Sequence, residues 1–80
     1  MIKEVLIENF IELEHFCKAN TQEIIDALKY VPNSIFYQKM MEDECLKIDC
    51  KNFPSVVFSI KNIEKNVVSI LFIGTLGLTK

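Results

Sequence analysis

The first part of the chain spaces its apolar residues as a helix does. Over residues 2–18 they recur every three or four positions and form one stripe: Ile2, Val5, Leu6, Phe10, Leu13, Phe16 and Cys17. This spacing predicts an amphipathic helix. Glu4, Glu8 and Glu12 are four residues apart, so the same helix is expected to carry an acidic row on another face.

Two more helices are predicted before residue 45. The segment 20–32 has Thr21 as its expected N-cap, ends at Pro32, and is expected to bury Ile24, Ile25, Leu28 and Val31. The segment 32–44 has Asn33 or Ser34 as its cap and is expected to stop near its three consecutive acids, which the helix dipole disfavours at a C-terminus. Its inward residues are Ile35, Phe36, Met40 and Met41.

The remaining chain alternates apolar and polar residues, which predicts strands over 45–50, 55–63 and 67–73. Residues 64–66 read as a hairpin loop in which Asn66 takes the left-handed conformation. The predicted fold is therefore α+β, with three N-terminal helices packed on a C-terminal three-stranded antiparallel sheet. At 80 residues, the chain is expected to be a single small globular domain over 1–80.

The last strand differs from the others because both of its faces are apolar. Val68, Ile70 and Phe72 alternate with Val67, Leu71 and Ile73. The uncharged run from 66 to 79 is 14 residues long, whereas a membrane-spanning helix needs about 20. Three short helices are expected to cover one sheet face only, which leaves a protein interface at Val57, Val67, Leu71, Ile73 and Leu76. In the alternative, the first helix crosses the second face and the patch is internal.

Charge is unevenly distributed along the chain, whose net charge is −2. Residues 1–44 carry four lysines and nine acids, and residues 45–80 carry five lysines and two acids. The acidic part is expected to steer the protein toward a basic partner. Its contributing residues are Glu4, Glu8, Glu12, Glu42, Asp43 and Glu44.

No residue pattern points to catalysis, a metal or a cofactor. Cys17, Cys45, Cys50 and His15 lack the paired short spacings of a zinc site, and Cys17 and Cys50 are expected to be buried apolar residues. The N-terminal sequence lacks the layout of an export signal, and the cysteine count is odd. Both observations favour a reducing cytoplasm with free thiols. We therefore expect a non-enzymatic cytoplasmic protein without cofactors.

One stretch, "TQEIIDALKYVPNSIFYQKM", resembles a helix-turn-helix, and the strands after it resemble the wing of a winged-helix domain. The resemblance implies an alternative function as a DNA-binding transcriptional regulator. The residues that it places at DNA are Tyr37, Gln38, Lys39, Lys47, Lys51, Lys61 and Lys65. Three acids near Lys39 oppose this interpretation, because DNA binding depends on cations that neutralise phosphates.

The function that we expect from the sequence is non-catalytic protein binding, as in a small inhibitor, immunity or regulatory protein that occludes a partner surface. The composition, rich in Ile, Asn, Lys and Phe, is typical of an AT-rich genome, such as that of a phage or mobile element. The expected partner is either a basic protein such as a nucleic-acid enzyme, or a second copy in a homodimer. Membranes are not expected as partners.

Overall fold

A computed structural model of the chain describes residues 2–75. Its elements are strand β1 (Glu4–Ile7), helix α1 (Phe10–Cys17), a 3₁₀ turn (Lys18–Asn20), helix α2 (Thr21–Lys29), helix α3 (Asn33–Met41), and strands β2 (Leu46–Ile48), β3 (Val56–Glu64) and β4 (Val67–Thr75). Within this range the strands form one sheet in the order β1-β4-β3-β2. Strand β1 is parallel to β4, and the other two pairs are antiparallel.

The α+β class is as predicted, but the predicted architecture is wrong. The sheet of the described chain has four strands and is mixed, whereas three antiparallel strands were expected. Its helical residues fall into two runs instead of three separate helices. The first run, 10–29, contains α1, the 3₁₀ turn and α2, with a sharp change of direction at Lys18, whose φ is +57°, and the second is α3.

The largest error concerns the N-terminal segment, which begins as a strand instead of a helix. Val5 and Ile7 pack against the core, whereas Glu4 and Leu6 are exposed, so the segment follows a period of two. The helical spacing of Ile2, Leu6 and Phe10 fits the same few residues, and so short an apolar run does not separate the two periods. Parallel pairing with β4 selects the strand over the helix.

The sheet face that the helices cover contains the hydrophobic core, and we call it the inner face. Helix α1 lies against β4, α2 against β1 and α3 against β3. Val56, Phe58 and Ile60 enter this core, as their alternation predicts. The helix side chains that meet the strands are at most 2% exposed: Leu13, Cys17, Ile24, Leu28 and Phe36. Met41, in contrast, is 82% exposed and lies outside the core, against expectation.

Strands β3 and β4 are joined by a tighter hairpin than predicted. Glu64 pairs with Val67, so the loop is Lys65 and Asn66 alone. The positive φ, +57°, belongs to Lys65 and not to Asn66. A positive φ at only the first loop position matches a type II′ turn, whose twist suits antiparallel strands.

Two extra residues interrupt the ladder between β3 and β4. Lys61 is the extra residue on β3 and Ile73 the extra residue on β4. Such bulges bend a strand and raise its twist. Gly74 follows the second bulge with a φ of +154°, a conformation that L side chains rarely adopt. The backbone conformation at this position therefore favours glycine.

The helix caps also differ from those predicted. Thr21 is the first residue of α2, and its hydroxyl donates to the carbonyl of Lys18 at 3.3 Å instead of capping the helix. Asn33 is the first residue of α3, and its buried Oδ1 has no hydrogen-bond partner. Helix α3 ends at Met41, directly before the acids, as expected. Across residues 2–75, every helix is too short or too polar to traverse a bilayer.

Candidate protein interface

The sheet face opposite the core, which we call the open face, has no described helix packed on it. Its apolar side chains are Leu6, Val57, Val67, Leu71 and Ile73, and its polar ones are Glu4, Lys47, Ser59, Asn62, Glu64 and Ser69. Strand pairing sets these side chains in rows across the sheet, except for the bulge residue Ile73, which has no partner on β3. Because alternate residues of a strand point to opposite faces, each row contains one outward residue per strand.

Four of the five predicted interface residues are on the open face, and they differ in exposure. Ile73 is 53% exposed, and Val67 and Leu71 are half-buried. Val57, on β3 between Lys47 and Gly74, is only 6% exposed and offers little surface to a partner. Leu76, the fifth residue, lies outside the described residues.

Leu6 is an open-face residue that the sequence analysis missed. It is 45% exposed and lies in the same row as Ser69 and Asn62. The helix predicted over 2–18 placed Leu6 in the buried stripe. The available signal was the alternation from Glu4 to Ile7, which puts Leu6 and Glu4 on one face.

Two carboxylates flank the apolar patch at its hairpin end. Glu4 and Glu64 pair with Val67 from opposite sides, so the three side chains form one row. A shallow depression next to this row is lined by Leu6, Asn62, Glu64, Lys65, Val67 and Ser69. Glu64 was not among the predicted steering residues because the sequence placed it in a loop.

Asn9 fixes the strand that carries most of the patch. Its side-chain Nδ2 donates to the carbonyl of Phe72 at 2.8 Å, and its Oδ1 accepts from the Phe72 amide at 2.8 Å. The amide group thus pairs with β4 as a neighbouring strand would, directly beyond the end of β1. Nδ2 also donates to Glu12 Oε1 at 3.0 Å, which ties the first turn of α1 to the same place.

The six predicted steering acids are all exposed, but the acidic helical row does not exist. Glu4 belongs to β1, Glu8 to the turn that follows it, and Glu12 to the first turn of α1. Glu42, Asp43 and Glu44 follow α3, and Glu44 pairs with Lys39 at 3.3 Å. The row fails because the strand β1 takes the place of the expected first two helical turns.

The residues that the winged-helix resemblance places at DNA are distributed over five parts of the described chain. Tyr37, Gln38 and Lys39 are on α3, and the other four lysines occupy β2, the loop after it, the β3 bulge and the hairpin tip: Lys47, Lys51, Lys61 and Lys65. Tyr37 and Gln38 share a shallow groove with Glu42. A carboxylate at that position opposes the approach of phosphate.

The cysteines are free thiols in three different environments. Cys17 is buried, Cys50 is half-buried and Cys45 is exposed. Burial raises the pKa of both Cys17 and Cys50, and the negative charge of Glu23 adds to the effect at each. No three His, Cys, Asp or Glu side chains among residues 2–75 are grouped as a metal site requires.

No protein-family model, curated protein or solved structure is significantly similar to this chain. The residues and their geometry are therefore the only indication of function.

Proposed function

We propose that this protein is a non-catalytic binding module that occludes a surface of another protein with the open face of its sheet. The observation that supports the proposal is the uncovered apolar patch formed by Leu6, Val67, Leu71 and Ile73. Removing apolar surface from water is favourable by about 25 cal/mol per Å², so a complementary apolar surface binds there. An exposed patch bordered by polar residues is typical of an interaction site.

The carboxylates at the hairpin end of the patch favour basic residues on the partner, whereas Lys47 and Lys65 on the same side of the sheet favour acidic ones. Glu4 and Glu64 flank Val67, and the exposed acids after α3 add to the negative charge of the helical layer. Complementary charge raises the association rate and selects among partners more than it raises affinity. A nucleic-acid enzyme with a positively charged substrate path has the required chemistry, and a reducing cytoplasm is the compartment that the free thiols favour.

The test compares two isoleucines that differ in location but are similarly exposed. Ile73→Lys places a charge on the open face, and Ile11→Lys places the same charge on α1, where Ile11 is 66% exposed. We expect both variants to retain the wild-type melting temperature within a few degrees, because neither side chain is in the core. In affinity capture from the native host, Ile73→Lys should lose the bound protein and Ile11→Lys should retain it.

Two further measurements separate the alternatives. Light scattering distinguishes a homodimer, which Ile73→Lys should dissociate, from a monomer that binds a different protein. A gel shift at low salt tests DNA binding, and loss of a shift in the double variant Lys51→Glu/Lys61→Glu would favour the winged-helix alternative. The open face would be refuted as the interface if both isoleucine variants captured the bound protein equally well and the wild-type protein were a monomer.

A further inference from the structure

Two of the three cysteines lie in one part of the core, where the loop after β2 packs on the junction between α1 and α2. Cys17 is the last residue of α1 and is 2% exposed. Cys50 follows β2, is half-buried, and packs against the same hydrophobic cluster. Cys45 is exposed and lies before β2, outside this cluster.

Contacts on both sides of Cys17 hold the loop 50–53 in place. The ring of Phe53 lies 5.4 Å from that of Phe16, the residue directly before Cys17. On the α2 side, Glu23 accepts hydrogen bonds from the backbone N–H of Asn52 at 3.1 Å and from its Nδ2 at 3.0 Å. These two contacts position the loop over the end of α1.

Cys50 is itself part of the fixed structure of this loop. Its backbone N–H donates to the carbonyl of Phe53 at 3.0 Å, and the N–H of Phe53 donates back at 3.2 Å. Burial is the main cause that raises the pKa of both thiols, and the charge of Cys50 on Cys17 and of Glu23 on both adds to it. The thiols, the carboxylate and the two phenylalanines thus form one cluster.

We propose that Cys17 and Cys50 are a reversible modification site that forms an intramolecular disulfide by exchange with a small-molecule disulfide such as oxidised glutathione. Cys50, the more accessible of the two, loses its proton to solvent, and its thiolate attacks one glutathione sulfur. The glutathione S–S bond breaks, one glutathione thiolate leaves, and a mixed disulfide remains on Cys50. Cys17 then loses its proton and attacks the Cys50 sulfur, which expels the second glutathione.

The net reaction oxidises two protein thiols to one disulfide and reduces one glutathione disulfide to two glutathione thiols. The product links the end of α1 to the loop after β2. A link between residues 17 and 50 restricts the unfolded chain, so the oxidised protein is expected to melt about 10 °C higher or more than the reduced protein.

The test uses the variant Cys45→Ser, which contains only the proposed pair. It is equilibrated in glutathione redox buffers at mildly alkaline pH, both folded and in concentrated guanidinium chloride. We expect the folded protein to lose both thiols at a glutathione disulfide ratio at least about tenfold lower than the unfolded chain needs, since folding holds the thiols together. Mass spectrometry of the digest should show one peptide pair joined through Cys17 and Cys50.

Two controls keep the proposal refutable. Cys50→Ser in the same background should form no internal disulfide and show no rise in melting temperature under oxidation. Should Cys45→Ser fold poorly, the exposed Cys45 of the wild-type protein can be alkylated first and the same titration repeated. Folded protein that stays reduced where the unfolded chain is oxidised, or that accumulates mixed glutathione disulfides only, would overturn the proposal.

Discussion

The two faces of strand β4 are almost equally apolar in sequence but have different surroundings. On the inner face, Val68 and Ile70 are fully buried beneath the helices. On the open face, Ile73 is 53% exposed and Val67 and Leu71 are half-buried. The contrast shows that residue type does not determine burial here. The supply of covering elements does, since the helices of residues 2–75 all pack on one side of the sheet.

Breaking the inner face should have the largest effect. Phe58→Ala removes a fully buried ring that contacts Phe72, with centroids 5.9 Å apart. We expect a loss of about 3–5 kcal/mol in the free energy of unfolding, which is enough to unfold most of a small domain. Urea denaturation followed by circular dichroism measures it.

The neighbouring residue of the same strand provides the matched control. Ser59→Ala alters the open face only and should change the stability by about 0.5 kcal/mol or less. Equal losses for the two variants would mean that the open face is packed as tightly as the inner one, and the comparison would fail.

A smaller effect is expected at Asn9, which secures β4 and so supports both faces at once. Asn9→Ala leaves the N–H and carbonyl of Phe72 without their side-chain partners. We expect a loss of about 1–3 kcal/mol, because unsatisfied polar groups in a part-buried site are costly. Asn9→Asp retains the acceptor but not the donor and should lie between wild type and Asn9→Ala. Hydrogen exchange at the Phe72 amide provides a local measurement, and unchanged protection in Asn9→Ala would contradict the role given to Asn9.

The smallest expected effect is the pH dependence of the free energy of unfolding, and it arises from Cys17 in the core. Burial raises the pKa of Cys17 above its ordinary value of 9.0, so the folded protein retains this proton at pH values where the unfolded chain loses it. The stabilising contribution is complete below pH 9.0 and is lost as the pH rises through the raised pKa, by at most about 1.4 kcal/mol per pH unit for one proton. Urea titrations at several alkaline pH values should show a shallower loss for Cys17→Ala than for wild type.

The sequence predicts the alternating strands well and the edges of the sheet poorly. Leu46, Ile48 and Ile60 alternate with polar residues over segments bounded by turn residues, so their inward direction could be predicted directly. The strand β1 was not recognised, because its four residues fit both a helical and a strand period and its partner Val67 is 63 positions from Glu4. Local spacing contains no information about that pairing.

The candidate interface was predicted in part for the same reason. The two-sided apolar pattern of β4 indicates an uncovered face, and the structure places Val67, Leu71 and Ile73 there. Leu6 and Glu64 were missed because their positions depend on β1 and on the length of the hairpin loop. The extra residues Lys61 and Ile73 have no sequence signature, since a bulge arises from how two strands align.

The parallel pairing of β1 with β4 also bears on how the protein forms during synthesis. Strand β1 cannot pair until β4 has been synthesised, because Glu4 pairs with Val67. Until then this edge of the sheet is missing. A ribosome extends a chain by roughly 5–20 residues per second, so this edge stays unfinished for several seconds after its first residues emerge. Long-range pairing of this kind also slows the refolding of intact chains. During synthesis, the β1 edge of the sheet therefore forms only after β4 has been made.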